Sequence, residues 1–194
     1  MIITVRIWLS ERTEHRVYKI TKVEQLTETI YLMDVVAPRV ANKCLPGQFV
    51  IVRGSEDGER IPLTICDYSR EDGTITIVFQ VVGAATEMMK NKKVGDSFAD
   101  FVGPLGCPSE FCKEDIEELK KKKILFVAGG VGTAPVYPQV KWLHEQGIEA
   151  DVIVGGRNKS LIILEDKMKK VAGNLYITTD DGSYGSKGVV TNEI

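Results

Sequence analysis

The stretch Ala128-Gly129-Gly130-Val131-Gly132-Thr133-Ala134-Pro135 constrains this chain more than any other. Directly before it, Ile124-Leu125-Phe126-Val127-Ala128 is an unbroken apolar run of strand length with lysines upstream. A run without polar alternation suits a strand covered on both faces of a parallel sheet. After it, Val136, Val140 and Leu143 recur at helical spacing up to Gly147, and Pro135 suits a first helical turn that needs no N–H donor. The glycines therefore stand where a strand hands over to a helix. Side-chain-free backbone there lets a phosphate approach the free N–H groups and positive dipole end of the helix. A tight Gly-rich turn without a ligand is the other reading, and Pro135 stands where the usual dinucleotide fingerprint has a third glycine.

The 194 residues allow one large domain or two small ones, and 43% apolar residues is ordinary for a buried core. A net charge of -2 argues against nucleic acid as the main partner. The run Lys120 to Lys123 follows Glu114, Asp115, Glu117 and Glu118, acids first and bases last. That order complements a helix dipole and reads as a short solvated helix, not a basic patch. No segment is long and apolar enough to span a bilayer. Met1 to Thr13 lacks the h-region and cleavage site of a signal peptide. The four cysteines, Cys44, Cys66, Cys107 and Cys112, read as reduced thiols of a cytoplasmic protein.

The first half reads as β. Val17 to Ile20, Thr29 to Met33, Phe49 to Val52 and Thr74 to Phe79 are short β-branched or aromatic runs separated by turn-formers, which predicts a small antiparallel barrel. Asp72-Gly73 is the best hairpin signal. The second half alternates: strand 124–128, a helix to about Gln146, strand Ala150 to Val154, a helical piece near Glu165 to Lys170, and strand Leu175 to Thr179. This predicts a parallel sheet with right-handed crossovers, its boundary with the barrel lying between Gly106 and Lys122.

Arg60-Ile61-Pro62-Leu63-Thr64-Ile65 lies between the third and fourth strand-like runs. An arginine fork suits a pyrophosphate through paired donors and a permanent charge; an edge strand with a solvated arginine is the alternative. Gly83-Ala84-Ala85-Thr86 leads from strand into a short helix, either a second anion site or an ordinary strand end with Thr86 as N-cap. Phe101-Val102-Gly103-Pro104-Leu105-Gly106 reads as a rigid turn, and His15 and His144 as surface residues.

Taken in order, Pro46-Gly47-Gln48-Phe49, Arg60-x-Pro62-Leu63-Thr64, Gly83-x-x-Thr86, Gly103-Pro104-Leu105-Gly106, Gly130-x-Gly132-x-x-Pro135 and Asp180-Asp181-Gly182-Ser183-x-Gly185 resemble the ferredoxin–NADP reductase superfamily. More narrowly, the chain is similar to the electron-transfer subunits of dihydroorotate dehydrogenase, and of sulfide dehydrogenase or NADH-dependent ferredoxin–NADP oxidoreductase. The likeness covers nearly the whole chain. It implies an N-terminal antiparallel Greek-key β-barrel binding FAD over residues 1–106, a linker and helix over 107–122, and a partial Rossmann-like α/β domain binding NAD(H) or NADP(H) over 123–194. By this resemblance Arg60 and the turn Gly83, Ala84, Ala85, Thr86 would hold the FAD pyrophosphate, and Pro62, Leu63 and Thr64 would line the flavin ring. Gly130, Val131, Gly132 and Thr133 would approach the NAD(P) phosphates, Gly156 and Arg157 the adenosine ribose, with Asp181 and Ser183 beside the cofactor. Arg157 and Lys159 could meet a 2′-phosphate, so both nicotinamide cofactors stay open. The implied reaction is hydride transfer to flavin, without an acid–base residue, and onward release of electrons to an iron–sulfur centre and a catalytic or ferredoxin-type partner subunit.

Three departures qualify the resemblance. Gly83-Ala84-Ala85-Thr86 lacks the lysine or second hydroxyl often found there, which implies weaker phosphate binding. Relatives continue past the position of Ile194. They also carry a four-cysteine [2Fe–2S] site, of which Cys107-x4-Cys112 supplies one interval and no more, so both cysteines read as incidental. A fragment or shortened product is the expectation, dimerising through the unpaired apolar edge of strand 124–128 or holding its second domain loosely. The alternatives to an electron-transfer subunit are a stand-alone NAD(P)H-dependent flavin or flavodoxin-type reductase and a non-catalytic flavin-binding docking subunit.

Overall fold

The computed structural model describes residues 18–193; Met1 to Thr13, His15 and Val17 lie outside that range. Seven short strands, their apolar residues alternating, build one antiparallel sheet: β1 (Tyr18–Gln25), β2 (Ile30–Val36), β3 (Phe49–Arg53), β4 (Arg60–Ser69), β5 (Thr74–Gln80), β6 (Ser97–Phe98) and β7 (Asp100–Leu105). Their order is β6-β1-β2-β5-β4-β3-β7. Only Ala99 separates β6, which pairs with β1, from β7, which pairs with β3, so one segment joins both edges and nearly closes the barrel. β2 pairs with β5 and not with β3, a Greek-key connection. Ile20, Met33, Val52, Ile77, Phe79 and Phe101 lie buried inside. A short helix α1 (Pro38–Ala41) follows β2, and α2 (Ala84–Lys90) follows β5.

The edge-strand alternative for Arg60 to Ile65 holds for the backbone: this stretch is the first half of β4, paired with β3 from Arg53↔Arg60 to Phe49↔Thr64. Pro62 is tolerated because β4 meets β5 only from Ile65 onward, across a bulge, so at Pro62 the strand has a ladder on one side alone. Phe101 to Leu105 is likewise strand and not turn. The Gly-Pro pair suggested a turn, but a Cβ at Gly103 would fall 2.7 Å from Val50 Cγ1, so glycine serves the close approach of β7 to β3. The hairpin at Asp72-Gly73 forms as expected between Ser69 and Thr74, with Gly73 at φ +64°.

A 3-10 turn (Glu110–Lys113) and α3 (Ile116–Leu119) lead out of the barrel. Asp115 caps α3 by accepting hydrogen bonds from the N–H groups of Glu117 and Glu118, while Lys120, Lys121 and Lys122 pair with Glu117, Glu118 and Glu114. The parallel sheet then comprises β8 (Ile124–Gly129), β9 (Ala150–Gly156), β10 (Leu175–Thr179) and β11 (Ser186–Lys187), in the order β11-β10-β9-β8. Helix α4 (Thr133–Glu145) links β8 to β9 and stops before Gly147 at φ +72°; α5 (Glu165–Met168) lies between β9 and β10. Among the described residues β8 is an edge strand, with Leu125 and Val127 exposed. No helix among them is long and apolar enough to cross a membrane.

The second sheet is not loosely held. Ile30, Leu32, Cys66 and Val78 of the barrel share one buried cluster with Ala134, Tyr137 and Val140 of α4 and with Val152 and Val154 of β9. Contiguous apolar burial of this kind stabilises at roughly 25 cal/mol per Å2 removed from water, which opposes separation of the two parts.

Phe101, 1% exposed, packs on Tyr18 and Phe98 at ring-centroid distances of 5.6 and 6.0 Å. Phe101→Ala is expected to lower the unfolding free energy by about 3–5 kcal/mol in urea titrations. A loss below about 1 kcal/mol would contradict the packing described.

Candidate functional site

At the end of β8 the chain passes through a 3-10 turn (Gly130–Gly132) into α4. Gly130 has φ +53°, a conformation that favours glycine. No atom lies within 4 Å of the place a Cβ would take at Gly130 or at Gly132, so the backbone opens onto free space at both. Gly129 differs: its Cβ position is 3.3 Å from the Gly155 carbonyl oxygen, and glycine there serves strand packing. The first N–H groups of such a helical run lack intrahelical acceptors. Thr133, wholly buried, holds its Oγ1 without a hydrogen-bond partner among the described residues. Donors and open backbone together suit an anionic ligand, whereas the Thr133 hydroxyl lies beneath the surface and neither Gly132 nor Thr133 lines the adjoining cleft.

A cleft of about 790 Å3 lies over the carboxyl ends of the parallel strands, where ligands of open α/β sheets bind. Its wall includes Gly130, Val131, Gly156 and Arg157 from the residues singled out in the sequence, and Thr29 and Gln80 from the barrel. Arg157 is exposed and forms no ion pair among the described residues. Asp181 and Ser183 do not line this cleft; they tie loops together. Asp181 Oδ1 accepts from the Ser183 N–H at 2.9 Å, and these Ser183 hydrogen bonds hold the carboxyl below its usual range. Ser183 Oγ accepts from the Lys159 N–H at 2.9 Å, and Lys159 Nζ sits 4.7 Å from the centre of the Tyr184 ring.

On the barrel, strand alternation sorts the predicted flavin residues. Arg60, Pro62 and Thr64 face outward, whereas Leu63, like Ile61, packs against the barrel core, leaving only its backbone toward the outside. Arg60 stands opposite Arg53, and Arg53 opposite Asp100. Arg60 Nη2 donates to Asp100 Oδ2 at 2.6 Å. Arg53 Nε lies 2.8 Å from the same oxygen but is not aligned for a hydrogen bond, an ion pair only. Two guanidinium groups on one carboxylate leave one positive charge in surplus, and the Arg60 side chain is 59% exposed.

Gly83 caps α2 in extended conformation, again with nothing within 4 Å of its Cβ position. Thr86 is not the N-cap but the third residue of the helix. Its Oγ1 accepts from the N–H groups of Val82 and Gly83 at 3.0 and 3.1 Å and donates to the Gly83 carbonyl at 2.9 Å. That hydroxyl is spent on shaping the turn, and the donors left to a ligand are the N–H groups of Ala84 and Ala85. Met88 of α2 rests against the β3–β4 turn, its Cε 3.2 Å from the Cβ position of Gly54, so α2 and the approach to Arg60 share one end of the barrel. Arg60 and Gly83 lie outside the wall of the 790 Å3 cleft; Gln80, three residues before Gly83, belongs to it.

Sequence reasoning missed Gly155, Thr178 and Asp180, which also line the cleft. Their place at the ends of β9 and β10 was a usable signal. Thr29 and Gln80 carried none, because only the packing of barrel on sheet brings them there.

No family model matches the chain. An uncharacterized protein in the adh 3′ region of Clostridium beijerinckii is 64% identical over 171 residues, 88% of this chain and 58% of that protein. The dihydroorotate dehydrogenase B (NAD(+)) electron transfer subunit homolog of Thermotoga maritima is 41% identical over 90% of this chain and 59% of its own length. The dihydroorotate dehydrogenase B (NAD(+)) electron transfer subunit of Streptococcus pneumoniae serotype 4 is 30% identical over 91% of this chain and 70% of its own. This chain belongs to the dihydroorotate dehydrogenase electron-transfer subunit family. That places it in the ferredoxin–NADP reductase superfamily. The solved structure of an NADH-dependent reduced ferredoxin-NADP oxidoreductase superposes with a TM-score of 0.81 at 38% identity, over 91% of this chain and 61% of the other. The family's fold extends to an Amycolatopsis cytochrome P450 reductase, TM-score 0.70 at 16% identity. The chain spans somewhat under three fifths of the length of the first two relatives, 58% and 59%.

Two glycine substitutions separate open cradle from packed backbone. Gly132→Ala, at φ -63° with free space around it, is expected to leave the melting temperature within about 2 °C of the parent. Gly155→Ala would drive its methyl into Val190 and is expected to cost about 1–3 kcal/mol in thermal or urea unfolding. Equal losses at the two positions would contradict this assignment.

Proposed function

We propose that this chain is the flavin- and nicotinamide-binding part of an electron-transfer subunit, moving electrons between NAD(P)H and an acceptor through FAD. The observation that carries the reading is a pair of strand-to-helix turns, at Gly83 and at Gly130–Gly132, each open where a side chain would stand. The chemistry of the residues fits the groups implied. Arg60, with the surplus charge of its arginine pair, and the N–H groups of Ala84 and Ala85 would hold the FAD pyrophosphate, with Gly83 and Thr86 shaping the turn. Pro62 and Thr64 would line the flavin ring, with Leu63 offering backbone. Gly130, Val131, Gly132 and Thr133 would take the dinucleotide phosphates, and Gly156 and Arg157 the adenosine ribose. Asp181 and Ser183 would support that subsite by holding the adjoining loops.

A bound flavin supplies acceptance of a hydride and stepwise release of its electrons. This chain's residues bind, orient and exclude water, and no acid–base side chain is asked for. With Lys159 engaged by Tyr184, Arg157 is the cation left for a 2′-phosphate, so both NADH and NADPH are candidates. The acceptor would be a catalytic or ferredoxin-type partner subunit. Among the described residues no three His, Cys, Asp or Glu side chains are grouped to hold a metal, and the four cysteines are free thiols. In this reading 1–106 would be the FAD-binding part, 107–122 the linker and 123–194 the nicotinamide-binding part.

The test is to supply FAD and mix the yellow protein with NADH or NADPH without oxygen. Loss of the oxidised flavin absorbance is expected with at least one of them. A yellow protein that stays oxidised would favour the docking-subunit reading, and a protein that takes up no FAD would overturn both. Arg60→Ala is expected to weaken FAD binding about tenfold or more in equilibrium titrations, the scale of one charge-assisted hydrogen bond. Unchanged affinity would remove Arg60 from the site.

A further inference from the structure

Asp67 lies at the seam between the barrel and the parallel sheet, three residues beyond Thr64 on β4, with its side chain 14% exposed. Its Oδ1 accepts from Lys141 Nζ of α4 at 2.7 Å and from the Tyr68 N–H at 2.8 Å; its Oδ2 accepts from Lys167 Nζ of α5 at 2.9 Å. Lys141 also donates to the Tyr68 carbonyl at 3.2 Å and lies 5.0 Å from the Tyr68 ring centre, while Lys167 lies 5.3 Å from that of Tyr137. The carboxylate is thus saturated by groups from its own strand and from two helices of the other sheet.

Each of these three elements carries one of the candidate ligand sets. β4 begins with Arg60, Pro62 and Thr64. α4 begins at the Gly130–Gly132 turn, with Lys141 about two helical turns further on. α5 follows Gly156 and Arg157 after one 3-10 turn. The apolar seam around Cys66, Tyr137 and Val140 is non-directional and admits sliding. A saturated, nearly buried carboxylate admits one register, because any displacement strands a charge away from water.

We infer that Asp67 is a positioning residue, a pin that fixes how the barrel's flavin wall and the sheet's phosphate turn stand relative to each other. Its role in transfer rests on the functional reading above; its role as a pin does not. Burial works against the charge on Asp67, but Lys167 and Lys141 outweigh it and hold the carboxyl below its usual range, so the pin is charged at neutral pH. The stability it supplies is fully present above the ordinary aspartate range and is lost as pH falls through the lowered folded value.

The experiment measures a distance and a rate on the whole chain. Spin labels are placed through Asp57→Cys on the barrel and Lys170→Cys on the sheet side, with Cys107→Ser and Cys112→Ser removing the accessible thiols. Asp67→Asn is expected to broaden the label-to-label distance distribution. In FAD-loaded protein it should slow flavin reduction at saturating nicotinamide about tenfold or more while leaving FAD affinity unchanged. Asp67→Glu, which keeps the charge, should retain the narrow distribution. If Asp67→Asn does not fold, Lys141→Met and Lys167→Met, each leaving one ion pair, take its place and should each broaden the distribution. An unchanged distance distribution in the folded variants overturns the pin. Broadening without flavin uptake or reduction in the parent leaves the pin standing and overturns the functional reading.

Discussion

The burial of one wall of the barrel against α4 and β9 governs the rest of this molecule. A small antiparallel barrel has its own interior, here filled by Ile20, Met33, Ile77, Phe79 and Phe101. It could in principle carry the second sheet on a flexible tether, as many two-part chains do. Instead Ile30, Leu32, Cys66 and Val78 turn outward from the barrel and enter a second core with Ala134, Tyr137, Val140, Val152 and Val154. Cys66 sits in that core beside Asp67, and burial, with the neighbouring carboxylate adding, pushes its thiol up to about 12. It remains a neutral, packed thiol. The seam therefore combines bulk apolar attraction with one saturated ion cluster, and the two perform different tasks: the first holds, the second sets the register.

That register decides what the two open turns can do together. Either turn alone offers an anion few groups beyond backbone N–H donors. The Gly130–Gly132 turn offers open backbone, while the Thr86 hydroxyl of the Gly83 turn is already bonded within that turn. Because barrel and sheet share a buried core, the spacing of the two turns is set by the fold of the protein. The barrel contributes Thr29 and Gln80 to the wall of the sheet's cleft, which gives that coupling a concrete surface.

Much of this was legible in the sequence. The apolar run 124–128, the glycines after it and the helical spacing of Val136, Val140 and Leu143 report local geometry, and local geometry is what periodicity encodes. The pairing of Asp72-Gly73 into a hairpin is of the same kind. The first half of β4 was legible only as one of two alternatives, because Pro62 and the mixed polarity of Arg60 to Thr64 mask a strand whose second neighbour begins only at Ile65. Gly103-Pro104 was misleading for a related reason: a pair that usually turns the chain here lets β7 lie close against β3. Within the candidate site, the inward turn of Leu63 was available from strand alternation once β4 was recognised. The Asp67–Lys141–Lys167 cluster was not, since its members are 74 and 100 residues apart and meet only through tertiary packing.

The proposed function requires two separate diphosphate cradles, one at Gly83 and one at Gly130–Gly132, in a chain whose barrel and sheet share a buried core. Backbone amide chemical-shift mapping, with FAD and NADH added separately and then together, tests it most directly. FAD should perturb Arg60 to Thr64 and Gly83 to Thr86; NADH should perturb Gly130 to Thr133, Gly156 and Arg157; both should perturb the neighbourhood of Thr29 and Gln80. Two ligands that compete for the same amides, or that perturb neither set, would contradict the account.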